Sequence, residues 1–207
     1  MTRRPFQPIA GAESLRRLLL GNLRYVNNKA TDANEGAPRR SEVAQVQDPF
    51  AIIFGCVDSR VPPEIIFDCG PGDLFVIRTA GQVIDQAVLT SIEFGVLELG
   101  IPLIMVLGHE RCGAVKAAVE AIEAHADEAG QFSWLIKHIR PAIHKAKEMR
   151  GDLLNNAIRA NIQLTVQALR DAPVLAPVRD KGQLRIVGAY YDLDSGRVML
   201  TPLPEAW

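Results

Sequence analysis

The sequence predicts an α/β fold: a mostly parallel open sheet of about four to five strands flanked by helices, with an N-terminal helical arm. Three observations predict it. Short, unbroken apolar runs recur at Phe50-Ala51-Ile52-Ile53-Phe54, Leu74-Phe75-Val76-Ile77, Leu103-Ile104-Met105-Val106-Leu107 and, broken once by arginine, Leu184-Arg185-Ile186-Val187-Gly188-Ala189-Tyr190. Runs too short for helices and apolar throughout mark strands of a parallel sheet covered on both faces. Stretches of helical spacing separate the runs, and strand–helix alternation is the signature of that architecture. A length of 207 residues, 48% of them hydrophobic, is enough to bury one core, so residues 1–207 are read as one domain.

The elements follow in order. Leu15, Leu18, Leu19 and Leu23 lie at helical spacing within 14–27, giving the arm its helix; the arm as a whole is 1–46 and the α/β core 47–207. Residues 31–40 are rich in Gly, Pro, Asn and Asp and read as a loop. A short helix is expected over 41–47, stopped by Asp48-Pro49. Further helices are expected over 85–99, 114–124, 132–149 and 153–170, with Asp152 as an N-cap of the last. Residues 191–200 read as a hairpin turning at Asp194-Ser195-Gly196. Gly70-Pro71-Gly72 precedes a strand rather than a helix and is a turn, not a phosphate loop.

Composition excludes several classes. The formal net charge is −1, so no basic field draws nucleic acid. No stretch is long and apolar enough to span a bilayer. The start, Thr2-Arg3-Arg4-Pro5-Phe6, lacks the apolar region an export signal needs and reads as an arm. Cys56, Cys69 and Cys112 are odd in number and far apart, which argues for metal or thiolate chemistry in a reducing compartment, the cytoplasm, rather than a disulfide framework.

Two motifs occupy equivalent places. Gly55-Cys56-Val57-Asp58-Ser59-Arg60 follows the first apolar run, and Gly108-His109-Glu110-Arg111-Cys112-Gly113 follows the third. Ligands of open α/β sheets bind beyond the carboxyl ends of the strands. If these two strands are neighbours, Cys56, His109 and Cys112 converge. Two thiolates and an imidazole suit Zn2+, and three protein ligands with one open position is the pattern of a catalytic site, where the metal lowers the pKa of water toward neutrality. Asp58 and Arg60 share a turn and can pair bidentately. Held by Arg60, Asp58 leaves the fourth position open; released, it can close the site as a fourth ligand.

The residues Cys56-Val57-Asp58-Ser59-Arg60-Val61-Pro62-Pro63-Glu64, 70–81 and 108–114 together resemble the β-class carbonic anhydrases, most closely bacterial members. The resemblance implies zinc on Cys56, His109 and Cys112, catalytic Asp58 and Arg60, and hydration of carbon dioxide to bicarbonate. It implies substrate contacts from Gln47, Phe75, Phe94 and the Gly113 N–H. It also implies a homodimer, or a tetramer built from dimers, with Gln47 and Phe75 supplied by the neighbouring chain. Relatives that hydrolyse carbonyl sulfide or carbon disulfide share the zinc site and form the alternative; a non-catalytic zinc module is a second. The chain departs from the family pattern at Val57, at Cys69 (read as a structural thiol) and at Phe94, where Tyr is frequent. Glu110 and Arg111 are bulky for their position, and Ile53 stands where a bicarbonate-inhibited subtype has Trp. His125, His138 and His144 are read as surface or helix-packing residues, and Trp134 and Trp207 as packing residues.

Overall fold

Five strands form one sheet in the order β2-β1-β3-β4-β5: β1 (Ala51–Cys56), β2 (Leu74–Thr79), β3 (Leu103–His109), β4 (Arg185–Tyr191) and β5 (Val198–Leu200). The first four run parallel and β5 pairs antiparallel with β4. This computed structural model describes residues 10–31, 37–125 and 132–202; the start of the arm and Trp207 lie outside the described residues. The helices are α1 (Ala10–Val26), α2 (Ala37–Val43), α3 (Pro63–Ile66), α4 (Gln86–Leu97), α5 (Gly113–Glu123), α6 (Ser133–Lys147), α7 (Leu153–Asp171) and α8 (Ala176–Asp180). None of them is long and apolar enough to cross a membrane.

Strand pleating divides the core in two. Ile52, Phe54, Ile104, Val106 and Ile186 face α4, α5, α6 and α7, where Ile92, Val115, Ile139 and Ile162 meet them. Ile53, Met105, Leu107, Val187 and Ala189 face the other way, against Leu15 and Leu18 of α1 and against Ile66 and Phe67. Each large side chain taken fully out of water here stabilises the fold by about 1.5–3 kcal/mol. β1 and β3 are buried along their whole length, as their apolar runs require. β2 is the exception to the expected two-sided cover: it is an edge strand and every residue in it is only part-buried.

Local chemistry sets several ends. The Asp85 carboxylate accepts the Val88 N–H at 2.8 Å and starts α4, and Asp152 caps α7 by accepting from Asn155 at 2.7 Å, as its position predicts. The hairpin turns where expected, with Gly196 at φ 70° and its N–H donated to the Asp192 carbonyl. The helix expected over 41–47 is displaced: α2 begins at Ala37 and ends at Val43. Pro38 is compatible with the first turn of a helix, whereas the loop-like composition of 31–40 conceals that start. The short helices α3 and α8, which periodicity missed, also carry proline in their first turn.

The arm helix is seated by close backbone approach. A Cβ on Gly21 would lie 1.8 Å from the Phe67 carbonyl oxygen. Next to it, buried Asn22 donates to the Ile66 and Gly196 carbonyls and accepts from Val198 N–H, tying α1 to both α3 and the hairpin. Gly21→Ala is expected to destabilise the protein by about 2 kcal/mol, the scale of overpacking in a filled site; a denaturant midpoint equal to wild type would refute this seating of α1.

Candidate metal centre

The sheet order makes β1 and β3 neighbours, with the chain leaving toward β2 on one side and toward β4 on the other. This is the switch point at which ligand crevices form beyond the strand ends. Cys56 is the last residue of β1 and His109 the last of β3. Cys112 immediately precedes α5, so its thiol sits at a helix N-terminus, where negative charge is favoured. The two sulfurs lie 3.9 Å apart, and the three candidate ligand atoms all fall within 4.8 Å of one another. All three residues are buried.

The two thiols are in hydrogen-bond contact, which lowers the Cys56 pKa and raises that of Cys112. The backbone N–H of Gly81 at 3.4 Å further favours the Cys56 thiolate. The imidazole is oriented by its other nitrogen. His109 Nδ1 lies 2.8 Å from the Glu110 carbonyl oxygen, which can only accept, so Nδ1 carries the hydrogen and Nε2 presents a lone pair. That Nε2 atom is buried and has no hydrogen-bond partner among the described residues. A buried acceptor facing two thiol sulfurs is satisfied by a cation, and one nitrogen with two sulfurs is a zinc donor set. The residues present therefore fit Zn2+.

Asp58 and Arg60 adopt the expected bidentate pair. Arg60 Nε donates to Asp58 Oδ1 at 2.9 Å, Nη2 to Oδ2 at 2.8 Å, and the Arg60 backbone N–H to Oδ1 at 3.0 Å. The Arg60 guanidinium holds the Asp58 carboxyl down to about 2, despite the opposing effect of partial burial. Asp58 Oδ2 stands 3.8 Å from His109 Nε2, beside the three ligands but turned to Arg60. A pocket of about 300 Å3 opens here, lined among others by Cys56, Val57, Asp58, Gly113, Phe132 and Leu135. Nothing lies within 4 Å of a Cβ placed on Gly113, so the backbone at the start of α5 is accessible.

Gln47, Phe75 and Phe94 are not in this pocket of their own chain. Gln47 is exposed, Phe94 on α4 is 45% exposed, and Phe75 pairs with Ile52 in the first half of β2, whereas Thr79 pairs with Cys56. Glu110 and Arg111 do not crowd the rim either. Glu110 accepts the Leu193 N–H, and Arg111 pairs with Asp194 at 2.6 Å, so both reach into the β4–β5 turn. Cys69 is a part-buried free thiol that donates to the Phe67 carbonyl, and burial pushes it up to about 12. Trp134 is half-exposed and stacks on His138 instead of packing in the core.

Three supporting residues have no role assigned from the sequence, although Arg78 and Gly81 fall within the 70–81 motif. Arg78 donates to the Cys56 and Asp58 carbonyls at 2.8 and 2.6 Å, pinning the turn that carries both. Gly81 reaches Cys56 from a left-handed backbone at φ 60°, and Asn161 of α7 donates to the Gly81 carbonyl at 2.8 Å.

Comparison with known proteins agrees with this geometry. The family described as Carbonic anhydrase matches residues 51–198. The carbonic anhydrase of Mycolicibacterium smegmatis is 39% identical over 194 residues, 93% of either chain. Carbonic anhydrase 2 of Mycobacterium tuberculosis is 40% identical over 195 residues, 93% of this chain and 92% of its own. Among solved structures, a Coccomyxa β-carbonic anhydrase in complex with acetazolamide superposes with a TM-score of 0.72 at 28% identity, covering 90% of this chain and 85% of its own. Two tetrameric β-carbonic anhydrases of Sordaria macrospora are represented by a chain of the same fold at TM-score 0.69 and 21% identity, covering 94% of this chain and 100% of its own. Sequence match and fold agree: this chain belongs to the carbonic anhydrase family, in its β class.

Proposed function

We infer that this chain catalyses the zinc-dependent, reversible hydration of carbon dioxide to bicarbonate and a proton. The observation that carries the reading is the lone pair of His109 Nε2, buried without a partner and facing Cys56 and Cys112 while Arg60 holds Asp58 aside. Zinc held by these three residues supplies Lewis acidity, which lets water act as a nucleophile near neutral pH. Asp58 Oδ2 keeps acceptor capacity beyond its bond to Arg60, and accepts the hydrogen of the attacking water so that an oxygen lone pair points into the pocket. Val57, Phe132 and Leu135 give that pocket apolar walls suited to an uncharged, linear substrate. The Gly113 N–H, at the positive end of α5, stabilises charge developing on the substrate oxygens.

Gln47, Phe75 and Phe94 are assigned to substrate binding in a homodimer, where Gln47 and Phe75 reach the neighbouring chain's pocket; a tetramer of dimers is the larger assembly. The exposed apolar groups Val57 and Phe132 at the pocket mouth support such a partner. Arm and core are taken as one domain over 1–207. The described cysteines are all free, which fits a reducing compartment, and we place the protein in the cytoplasm.

Stopped-flow hydration of carbon dioxide across pH 6–9, on protein of measured zinc content, tests the function. Rate should scale with bound zinc and rise with pH, since the nucleophile forms by losing a proton. Turnover of carbonyl sulfide in place of carbon dioxide would reassign the substrate, and loss of neither rate nor fold on zinc removal would sink the reading.

A further inference from the structure

The opposite end of the sheet holds a second pocket, of about 380 Å3. Three arginines line it: Arg170 in the last turn of α7, Arg179 on α8 and Arg185, the first residue of β4. Leu103 pairs with Arg185 at one end of the β3–β4 ladder, and His109 with Tyr191 at the other. Six residue steps of strand, roughly 20 Å, therefore separate this pocket from the metal ligands, and the two pockets share no lining residue.

The described residues do not balance the charge gathered here. Arg179 is committed: its Nε and Nη2 donate to Asp180 Oδ1 at 2.8 and 2.7 Å, and its Nη1 donates to the Arg170 carbonyl, capping the carbonyl end of α7. Arg170 and Arg185 have no hydrogen bond or ion pair from their guanidinium groups among the described residues. Arginine stays protonated at every working pH, so two cations without a partner among the described residues border one cavity. Arg185 is also held by packing. A Cβ on Gly11 would lie 3.0 Å from Arg185 Cβ and 2.8 Å from the Pro102 oxygen, so the glycine lets α1 close against the arginine stem. Thr201 also lines the pocket.

We propose that this pocket binds a phosphoryl group, as inorganic phosphate or as a phosphomonoester, through Arg170 and Arg185. Guanidinium forks match phosphate oxygens bidentately. A dianion balances both cations, whereas bicarbonate, a monoanion, balances only one. The site is independent of the zinc chemistry.

Isothermal titration of the zinc-loaded protein with phosphate, and separately with glycerol 3-phosphate, at constant ionic strength, tests the proposal. Saturable binding is expected, weakened at least about tenfold in Arg170→Gln/Arg185→Gln, the scale of lost charge-assisted hydrogen bonds. Tighter binding of the ester identifies a phosphomonoester as the ligand; phosphate binding as tightly or more tightly identifies the free ion. Arg170→Lys/Arg185→Lys keeps the charge without the fork and should bind between wild type and the glutamine pair. Both double variants should hydrate carbon dioxide at the wild-type rate, which reports an intact fold. Absence of saturable binding overturns the proposal. So does binding unchanged in the glutamine pair, which would put the anion at the metal.

Discussion

Cys56→Ser is expected to abolish zinc retention and carbon dioxide hydration together. The substitution leaves β1 nearly isosteric but replaces a thiol already biased toward thiolate by Cys112 and the Gly81 N–H with an alcohol. A neutral alcohol beside His109 and Cys112 is a poor zinc ligand. Zinc affinity should fall by more than about 100-fold, because loss of even an outer partner of a metal ligand costs about 10–100-fold. Metal analysis after dialysis and stopped-flow hydration measure the two losses. Metal loss is separated from misfolding by melting temperature: the variant should melt close to chelator-stripped wild type, and below zinc-loaded wild type, because zinc stabilises only the folded state. Full activity in a metal-free variant would remove the basis for the metal centre.

Arg60→Ala is expected to lower hydration by about 10²–10³-fold with zinc content unchanged, the range lost when a single preorganised polar group is removed from a reacting centre. Arg60 makes three hydrogen bonds to the Asp58 carboxylate, two of them from its side chain. Without those two, Asp58 is free to turn toward His109 Nε2, now 3.8 Å away, and to occupy the position meant for water. The pH dependence distinguishes this from a titration effect. Arg60 depresses Asp58 to about 2, and its removal returns the carboxyl toward about 4, still well below the pH range of activity. The rate should therefore drop in amplitude without a new inflection between pH 6 and 9. Stability responds by the sign proper to a depressed carboxyl: the pair stabilises the fold above the unfolded value of about 4, and the contribution fades as pH falls toward 2. Arg60 is half-exposed, so solvent screening keeps that contribution small. A large fall in melting temperature at pH 7 would mean that Arg60 acts on the fold instead.

The strands were legible because their signal is chemical and local. Buried parallel strands must be apolar throughout, and β1, β3 and β4 begin within one residue of their apolar runs. The convergence of Cys56, His109 and Cys112 was legible for a related reason: two motifs at strand ends meet in space once β1 and β3 are neighbours. The position of α2 was not, because Pro38 and the polar loop around it look alike until a helix is known to start there. The pocket walls were legible only in part. Phe132, just before α6, and Leu135 within it lie far along the chain and carry no motif. Gln47, Phe75 and Phe94 were selected by resemblance, and a single chain does not bring them to Cys56. Arg78, Gly81 and Asn161 act through backbone groups, and interactions of that kind leave almost no trace in spacing.

The carbonyl that fixes the His109 ring belongs to the main chain of Glu110, not to a side chain. The orientation of the imidazole is therefore indifferent to which amino acid occupies position 110. That position can drift, and here it has been recruited for a different task, receiving the Leu193 N–H from the terminal hairpin. Placing the ligand's second bond on the backbone makes the metal centre tolerant of mutation at its nearest neighbour, and leaves the surrounding loop open to diversify.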